Sequence, residues 1–347
     1  MNLLRTILLE PLRRWWTVVG VCLCLSAPAQ AGSFAVLDTV YTPPGFPEGP
    51  FVGTVCIPDA PNGRGVVLTH GMGSGRGSLR FWCDSLAAHG YVAMTIDYCD
   101  VDQACGSYPA PVRAFKTAVQ FLRRNATRFR LTSGRVAGFG QSQGSAIWGQ
   151  AITSDGDDAF LGIDPSVDDH VDAVALMCGL YDMQHDVAGL DGALRSYFST
   201  DSTLRATRGN PIVNTARVTT PVLLFHGTSD GTVPYVQSVR FDDSLRVHGR
   251  TSELVLFPGA RHVFDRGGGA ISPTGLVVLD STLAFFERAM GASTVSVGSG
   301  RITGARCELS PPSPQPVRRS TTLRYVLPKA SRVRLEIFDL QGHRVAT

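Results

Sequence analysis

One stretch constrains the fold of this chain more than any other: Gly138-Phe-Gly140-Gln-Ser142-Gln-Gly144-Ser145. It follows a short run, Arg135–Ala137, that ends in apolar residues, and it precedes a small-residue helical pattern over 145–152. The pattern predicts a strand, a sharp turn and a helix, with the hydroxyl of Ser142 exposed on the turn. The glycines two positions to either side remove side chains that would clash in so tight a turn.

The pentad Gly-x-Ser-x-Gly is not specific by itself, because a second match, Gly227-Thr-Ser229-Asp-Gly231, occurs later in the chain. Ser229 is followed by Pro234 instead of an immediate helical pattern. A nucleophile at Ser229 would also need an acid and then a histidine on later strand ends, and no acid lies on an intervening strand. We therefore interpret Ser229 as a turn residue and Ser142 as the candidate nucleophile.

Strand and helix patterns alternate on both sides of the Ser142 turn. Buried strands are predicted at 51–57, 65–69, 91–97, 135–139, 171–177, 221–226 and 252–257. Helices are predicted at 78–90, 111–124, 145–152, 236–247 and 274–290. Residues 32–50, rich in Pro and Gly, are expected only to lead into the first strand. The alternation predicts an α/β fold, with a mostly parallel central sheet and helices on both faces.

The first 31 residues are predicted to be a secretory signal peptide. A basic leader precedes an apolar stretch at 15–25, and the small residues Ala29 and Ala31 mark a cleavage site. The apolar stretch is too short for a stable bilayer span, although a membrane anchor is the alternative. The protein is therefore expected to be secreted, periplasmic or on the cell surface.

Three further segments depart from the alternation: one lies inside the main domain, predicted at 32–290, and two follow it. Residues 178–220 are too long for a simple crossover and are interpreted either as a small cap over the site or as an irregular surface insert. Residues 291–318 are rich in Gly, Ser and Pro, which predicts a linker. Residues 319–347 alternate in strand fashion and are predicted to form a short, partial β-rich tail.

Three candidate catalytic residues follow three separate predicted strands. Ser142, Asp230 and His262 each lie shortly past a strand end. Because the carboxyl ends of parallel strands meet at one edge of a sheet, we expect these side chains to converge. Their order along the chain is the one expected for Ser142 as nucleophile, Asp230 as orienting acid and His262 as base. Asp182, which also follows a strand, is the alternative acid.

Backbone amides are predicted to stabilise the oxyanion that a serine nucleophile generates. The candidates are Gln143, directly after the nucleophile, and Met72, in the glycine-rich loop His70–Gly75. His70 and His226, at strand ends, are interpreted as structural hydrogen-bonding residues. The candidate substrate-binding residues are Trp148, Tyr181 and Tyr235, although each is as readily a core residue.

Composition and residue spacing limit the binding partners, metals and disulfide bonds that the chain is expected to have. The net charge of +3 does not indicate nucleic acid or another acidic polymer. No Cys-x-x-Cys or His/Cys spacing predicts zinc. The acidic stretch 155–169 matches no calcium loop, so we interpret its carboxylates as solvated or helix-capping groups.

Six cysteines follow the leader, namely Cys56, Cys83, Cys99, Cys105, Cys178 and Cys307. The best predicted disulfide pair is Cys99 with Cys105, and buried free thiols are the alternative for the others.

The segments that carry these residues resemble the α/β-hydrolase family. The resemblance covers His70–Gly75, Gly140–Gly144, 221–234 and 257–264, within roughly residues 45–290. It is greatest to secreted esterases of the dienelactone hydrolase, acetyl esterase and feruloyl esterase-like groups. It implies cofactor-free hydrolysis of small-molecule or polymer-borne carboxylic esters through an acyl-enzyme.

Two departures from these groups are visible in the sequence. The loop is His-Gly-Met-Gly where many such esterases have His-Gly-Gly-Gly, which affects the second oxyanion donor. Dienelactone hydrolases use a cysteine nucleophile, whereas this chain has Ser142. The alternatives to an esterase are a serine peptidase with the same triad order and a non-catalytic hydrolase-like binding module.

The C-terminal tail has a resemblance of its own. Residues 320–345 resemble the start of a FlgD-type immunoglobulin-like module and the C-terminal sorting tails of exported bacterial proteins. This resemblance implies contact with secretion or surface-attachment machinery and no catalytic role.

Overall fold

The computed structural model describes residues 33–100, 103, 105–157, 164–264 and 275–291, together with the backbone of several short segments. Those segments are 3–8, 266–267, 270–271, 273–274, 308–309, 322–327, 337–338 and 344–346. Contacts group the chain into two compact units, one of Ala31–Val295 and one formed by Met1–Gln30 with Ser296–Thr347. All the predicted catalytic residues belong to the larger unit.

An eight-stranded sheet forms the centre of the larger unit. Its strands are β1 (Phe34–Val40), β2 (Val52–Pro58), β3 (Gly65–Thr69), β4 (Val92–Ile96), β5 (Val136–Gln141), β6 (Ala173–Met177), β7 (Val222–Gly227) and β8 (Ser252–Phe257). The order across the sheet is β1-β2-β4-β3-β5-β6-β7-β8. β2 pairs antiparallel with β1 and β4, and every other pairing is parallel. Ser142, Asp230 and His262 therefore follow the parallel strands β5, β7 and β8 at the same edge of the sheet.

Helices cover both faces of this sheet. Among the described residues they are α1 (Arg80–Ala88), α2 (Ala110–Arg124), α3 (Ala126–Phe129), α4 (Gln143–Thr153), α5 (Asp191–Tyr197), α6 (Ser202–Ala206), α7 (Val236–Val247) and α8 (Pro273–Ala289). Short 3-10 helices lie at Arg76–Leu79, Ala188–Leu190 and Pro211–Arg217.

Two apolar clusters, one on each face, hold the layers together. Successive strand residues point to opposite faces, so Val67 joins one cluster and Val66 the other. Trp82 of α1 and Phe286 of α8 pack on the Val66 face, whereas α2, α4 and α7 pack on the Val67 face. A mostly parallel sheet between helical layers confirms the predicted fold class.

The sequence prediction missed β1, because residues 32–50 were expected only to lead into the first strand. β1 is an edge strand that pairs antiparallel with β2 over Phe34–Val40. None of its residues is fully buried, and Val36 and Val40 are exposed. A strand at the edge, with no buried face, carries too little apolar patterning to stand out in the sequence.

The segment 178–220 folds into short helices instead of irregular chain. It contains α5, α6 and the 3-10 helices that begin at Ala188 and Pro211. Backbone and side-chain hydrogen bonds attach it to the main layers: the Tyr108 amide donates to the Tyr197 carbonyl at 2.7 Å, and the Gln150 side chain donates to the Gly209 carbonyl at 2.8 Å. These contacts bring α5 alongside α4.

Two disulfide bonds lie within the described part of the larger unit. Cys99 and Cys105, the predicted pair, are bonded with their Cα atoms 5.6 Å apart. Cys56 of β2 is bonded to Cys83 of α1, with a Cα separation of 6.0 Å. Cys178 is a buried free thiol. Cys307 lies outside the described residues.

The smaller unit contains a three-stranded sheet in which Thr322–Leu327 pairs antiparallel with both Leu3–Leu8 and Glu308–Leu309. A second pair joins Ile337–Phe338 to Arg344–Ala346. Most of the predicted leader, linker and second tail strand lies outside the described residues. Across the described residues, no helix combines the length and the hydropathy needed to cross a membrane.

Candidate active site

β5 turns directly into α4 at Ser142. The φ and ψ angles of Ser142 are 54° and −117°, a combination that costs energy for any residue other than glycine. A Cβ atom at Gly144 would lie 2.4 Å from the Thr69 carbonyl oxygen, and one at Gly140 would lie 2.7 Å from the Ser145 nitrogen. The turn therefore requires both glycines, and it raises the Ser142 hydroxyl above the sheet edge.

The structure brings Ser142, His262 and Asp230 together at this edge. The Nε2 of His262 lies 2.9 Å from the Oγ of Ser142, and the Nδ1 of His262 lies 2.7 Å from the Oδ2 of Asp230. Because the carboxylate accepts at Nδ1, that nitrogen carries the proton and Nε2 is left to accept one from the serine. The His262 side chain is 17% exposed, whereas the Asp230 carboxylate is fully buried.

Both oxygens of Asp230 accept hydrogen bonds. Oδ1 accepts from the amides of Thr232 and Val233 at 2.8 and 2.9 Å. Oδ2 accepts from His262 and faces a second imidazole, His226, whose Nε2 is 3.2 Å away. Burial is the largest single influence and raises the pKa of Asp230, but the bonds from both imidazoles and both amides outweigh it and hold that pKa well below its ordinary value. Asp230 is therefore ionised wherever a histidine base can operate.

His226 lies fully buried behind Asp230, at the end of β7. Its Nε2 is 2.9 Å from the Val233 carbonyl oxygen, and its Nδ1 is 2.7 Å from the Ser238 hydroxyl. Since Nε2 faces a carbonyl and a carboxylate, both acceptors, it carries a proton and donates it. The sequence predicts a structural hydrogen-bonding role for His226 but not its contact with Asp230, for which the short spacing between the two residues is the available signal.

The two alternatives raised by the sequence occupy other positions. Asp182, the alternative acid, accepts from the Gln184 amide at 3.0 Å and lies 2.9 Å from the Nδ1 of His185, so it closes its own turn. It is Asp230 that contacts His262. Ser229 is exposed in the loop after β7, and its amide donates to the Ala260 carbonyl at 2.9 Å.

The loop His70–Gly75 lies directly against Ser142. A Cβ atom at Gly71 would lie 3.1 Å from the Cβ of Ser142. Burial lowers the pKa of His70, and the neutral ring donates from Nδ1 to the Gly71 carbonyl at 2.9 Å. Within the described part of the chain the Met72 amide has no hydrogen-bond partner. The Gln143 amide, at the first position of α4, has no intrahelical acceptor. Both predicted oxyanion donors are therefore available beside Ser142.

A cavity of about 90 Å³ opens beside Ser142. Helix α4 supplies Ala146 and Ile147, and the segment 178–220 supplies Leu180, Met183, Leu190 and Leu194. The polar side chain of Gln150 is already bonded, because it donates to the Gly209 carbonyl and accepts from the Tyr197 hydroxyl at 2.5 Å. None of the described lining residues is charged, so the cavity suits an apolar group.

The structure does not bring the predicted substrate-binding aromatics to this cavity. Trp148 is fully buried and packs 5.1 Å from Phe115, because it lies on the side of α4 that faces Gly138 of the sheet. Tyr181 is buried and stacks on Phe241 at 4.4 Å. Tyr235 is 41% exposed just before α7 and is not a lining residue. The core reading, which the sequence left open, applies to Trp148 and Tyr181.

The described residues contain one group of three potential metal ligands, Cys178, His226 and Asp230. Burial raises the pKa of the Cys178 thiol, so it is protonated at neutral pH, and Asp230 already has four donors. The described carboxylates of the acidic stretch 155–169 each pair with Lys or Arg: Asp155, Asp157, Asp164, Asp168 and Asp169. Neither group offers free ligands, and we assign no metal to them.

Comparison with known proteins gives one family match. The family model BD-FAE matches residues 70–245, just over half of the chain, a range that includes Ser142 and Asp230. Esterase LipC of Mycobacterium tuberculosis is 29% identical over 196 residues, which cover 53% of this chain and 48% of LipC. The chain thus spans about half the length of this curated relative.

Solved structures share the fold. An esterase of the Planctomycetes species Thermogutta terrifontis with propionate bound is 20% identical, with a TM-score of 0.59 over 77% of this chain and 97% of that one. The butyrate-bound form of the same esterase gives the same identity, score and coverage. A third form, phosphonylated by sarin, has a TM-score of 0.63 at 19% identity over 78% of this chain and 99% of that one.

Proposed function

The chain belongs to the BD-FAE family, and on that premise we propose that it is a serine hydrolase that cleaves carboxylic esters. The observation that carries the proposal is the position of His262, whose ring nitrogens lie 2.9 Å from the Ser142 hydroxyl and 2.7 Å from the Asp230 carboxylate. This geometry fits nucleophile, base and orienting acid. The esterase relatives support the same reaction class.

In the first half-reaction, the Oγ of Ser142 forms a bond to the ester carbonyl carbon while its proton moves to the Nε2 of His262. The carbonyl electron pair moves to oxygen, which accepts hydrogen bonds from the Met72 and Gln143 amides. Asp230 stabilises the positive charge on the imidazole. The bond to the alcohol oxygen then breaks, and that oxygen takes the proton from Nε2.

In the second half-reaction, water attacks the acyl-enzyme in the same way. His262 accepts a proton from the water, and the same two amides hold the oxyanion. When the intermediate breaks down, the proton passes from Nε2 to the Oγ of Ser142 and the carboxylic acid leaves. No group outside this chain is needed to balance either half-reaction.

The cavity beside Ser142 favours short aliphatic acyl groups. Its volume is about 90 Å³, whereas a cavity of roughly 150 Å³ is known to hold benzene. A saturated chain of a few carbons therefore fits between α4 and α5, and an aromatic acyl group would need the cavity to open. The propionate and butyrate bound to the Thermogutta terrifontis esterase support this size range.

We further propose that residues 1–31 direct export and are removed, so that the pairing of Leu3–Leu8 with Thr322–Leu327 exists only before cleavage. Two disulfide bonds in the larger unit suit an oxidising compartment. The tail would then contact secretion or attachment machinery. Sequencing the amino terminus of the exported protein tests this, since export without cleavage after Ala31 would contradict it.

The proposed function is tested by replacing Ser142 and, in parallel, the serine of the second pentad, Ser229. Ser142→Ala should abolish hydrolysis of nitrophenyl butyrate and labelling by a fluorophosphonate. Ser229→Ala, the matched control from the second pentad, should retain both. Turnover by Ser142→Ala would refute the assignment, and a wild-type protein that is never labelled would favour the non-catalytic binding module.

A further inference from the structure

We propose that Asp100 is a positioning residue that orients the Met72 amide toward the oxyanion; the inference rests on the proposed ester hydrolysis. Asp100 does not touch the reacting atoms. It acts through Gly73, whose amide donates to the Oδ2 of Asp100 at 2.5 Å. The Asp100 residue is only 2% exposed, so this contact is shielded from water.

The loop that carries Met72 cannot fix its own shape. Glycines lie on both sides of Met72, and Gly73 has a φ of +68°. Such residues have wide backbone freedom, so the direction of each peptide must come from hydrogen bonds to the rest of the protein. Met72 itself is 46% exposed, which leaves its side chain little packing to hold the loop.

Two consecutive peptide units define the direction of the Met72 amide. Each unit is planar and trans, so its carbonyl and its N–H point in opposite directions. The unit that contains the Met72 N–H is held at its carbonyl, where Gly71 accepts from His70 at 2.9 Å. The next unit is held at its N–H, where Gly73 donates to Asp100. Loss of Asp100 releases the second unit and allows Met72 to rotate.

Asp100 is itself fixed by the short disulfide-closed loop that contains it. Cys99 and Cys105 close this loop with their Cα atoms 5.6 Å apart. Inside it, the Gln103 amide donates to the Asp100 carbonyl at 2.9 Å. Just before it, the Tyr98 hydroxyl donates to the His70 carbonyl at 2.7 Å, at the base of the same glycine-rich loop. The disulfide loop and the oxyanion loop are therefore built as one bonded assembly.

Asp97 provides a matched control on the same segment. Its Oδ1 accepts from the Arg76 amide at 2.9 Å, beyond Gly75 and away from Met72. Asp97 and Asp100 thus hold the two ends of one loop, but only Asp100 bonds the peptide unit that adjoins Met72. The second disulfide, Cys56–Cys83, is an equivalent control for the cysteine pair, because it joins β2 to α1.

The experiment compares Asp100→Ala, Asp100→Asn and Asp97→Asn in the purified full chain, with nitrophenyl butyrate as substrate. Since removal of a whole oxyanion donor costs roughly 10²–10³ in kcat, we expect its displacement in Asp100→Ala to lower kcat roughly tenfold to a hundredfold. KM should stay within about threefold, because the donor acts mainly in the transition state. Asp100→Asn keeps an acceptor oxygen and should restore most of kcat; Asp97→Asn should match the wild type.

A second pair of variants keeps the test decisive if Asp100→Ala does not fold. Cys99→Ala/Cys105→Ala should lower kcat in the same direction, whereas Cys56→Ala/Cys83→Ala should lower only thermal stability. Unchanged kcat in Asp100→Ala or in the first cysteine pair, or an equal loss in Asp97→Asn, would overturn the inference. If instead Ser142→Ala remains active, it is the proposed function that fails.

Discussion

The two sides of Ser142 differ in the interactions that form them: hydrogen bonds to a carboxylate on one side and apolar contacts on the other. On the acid side, the end of β7 and the loops after β7 and β8 hold Asp230 with four donors: His226, His262 and the amides of Thr232 and Val233. On the cavity side, α4 and the segment 178–220 face Ser142 mainly with apolar side chains. Two glutamines of α4 also line this side: Gln150 is bonded to Gly209 and Tyr197, whereas the side-chain amide of Gln143 has no hydrogen-bond partner within the described residues.

We infer that the acid side determines the rate of the reaction and that the cavity side determines substrate selectivity. A buried carboxylate is stable only when its hydrogen bonds are complete, so the acid side tolerates one arrangement and few substitutions. An apolar wall needs only the right volume, so many combinations of residues would serve. We therefore expect polar substitutions on the acid side to cost large factors in rate and apolar ones on the cavity side to change substrate preference by small factors.

The largest effect is expected from Asp230→Asn. An amide NH₂ group facing the Nδ1 of His262 would force the proton onto Nε2, which then could not accept one from Ser142. From the corresponding change in other serine hydrolases, kcat should fall roughly 10⁴-fold. Steady-state kinetics with nitrophenyl butyrate measures this loss, and circular dichroism reports whether the fold is intact.

Asp182→Asn is the matched control for this comparison. Asp182 is also buried and also follows a strand, but its carboxylate bonds Gln184 and His185 within its own turn. Its replacement should leave kcat within a few-fold of the wild type. A loss as large as that of Asp230→Asn would mean that the acid side extends well beyond the contacts described above.

A smaller effect is expected from His226→Leu, which removes the second imidazole from Asp230. A hydrogen bond to a charged group contributes about 1.5–3 kcal/mol, which corresponds to roughly a tenfold to hundredfold change in kcat if it acts wholly in the transition state. His226→Gln places an amide nitrogen near the position of Nε2, and it should recover part of the activity. Equal kcat in the Leu variant and the wild type would show that one imidazole suffices.

His226→Leu should also change how the stability of the fold depends on pH, in a direction that the pKa of Asp230 determines. The pKa of Asp230 is depressed in the folded protein, so its ionised form stabilises the fold above the ordinary carboxyl pKa, and this stabilisation is lost as pH falls through the depressed value. His226→Leu removes one cause of the depression. Its acid-unfolding midpoint, followed by circular dichroism, should therefore move to higher pH than that of the wild type.

The sequence predicted the acid side better than the cavity side, and the reason is physical. Ser142, Asp230 and His262 each follow a parallel strand, and the topology brings such positions to one edge of the sheet whatever conformation the loops adopt. The contact of His226 with Asp230 depends on how one loop folds back on itself. No periodicity in the sequence predicts that contact, and none predicts the bond between Asp100 and Gly73.

The cavity could not be predicted from the sequence, because its wall is formed by α4 and by the segment 178–220, in which strand and helix patterns do not alternate. Aromatic residues looked like the natural lining, yet Trp148 and Tyr181 pack in the core. Aliphatic side chains such as Leu194 line the cavity instead, and they look in sequence like any other core residue. The edge strand β1 escaped prediction for the related reason that it buries no face.

The smallest effect, and the sharpest test of the cavity side, is expected from Leu194→Ala. Leu194 is 7% exposed and lines the cavity from α5, so the substitution lengthens the space available to an acyl chain. Since each methylene in an apolar pocket is worth about 1–3 kcal/mol, the ratio of kcat/KM for nitrophenyl octanoate to that for nitrophenyl acetate should rise by roughly tenfold. Leu204→Ala is the control, because Leu204 lies in the same segment and packs against the core without lining the cavity. It should lower thermal stability and leave the ratio unchanged; an equal shift in both variants would show that the segment 178–220 controls selectivity through its overall packing and not through the wall it presents to Ser142.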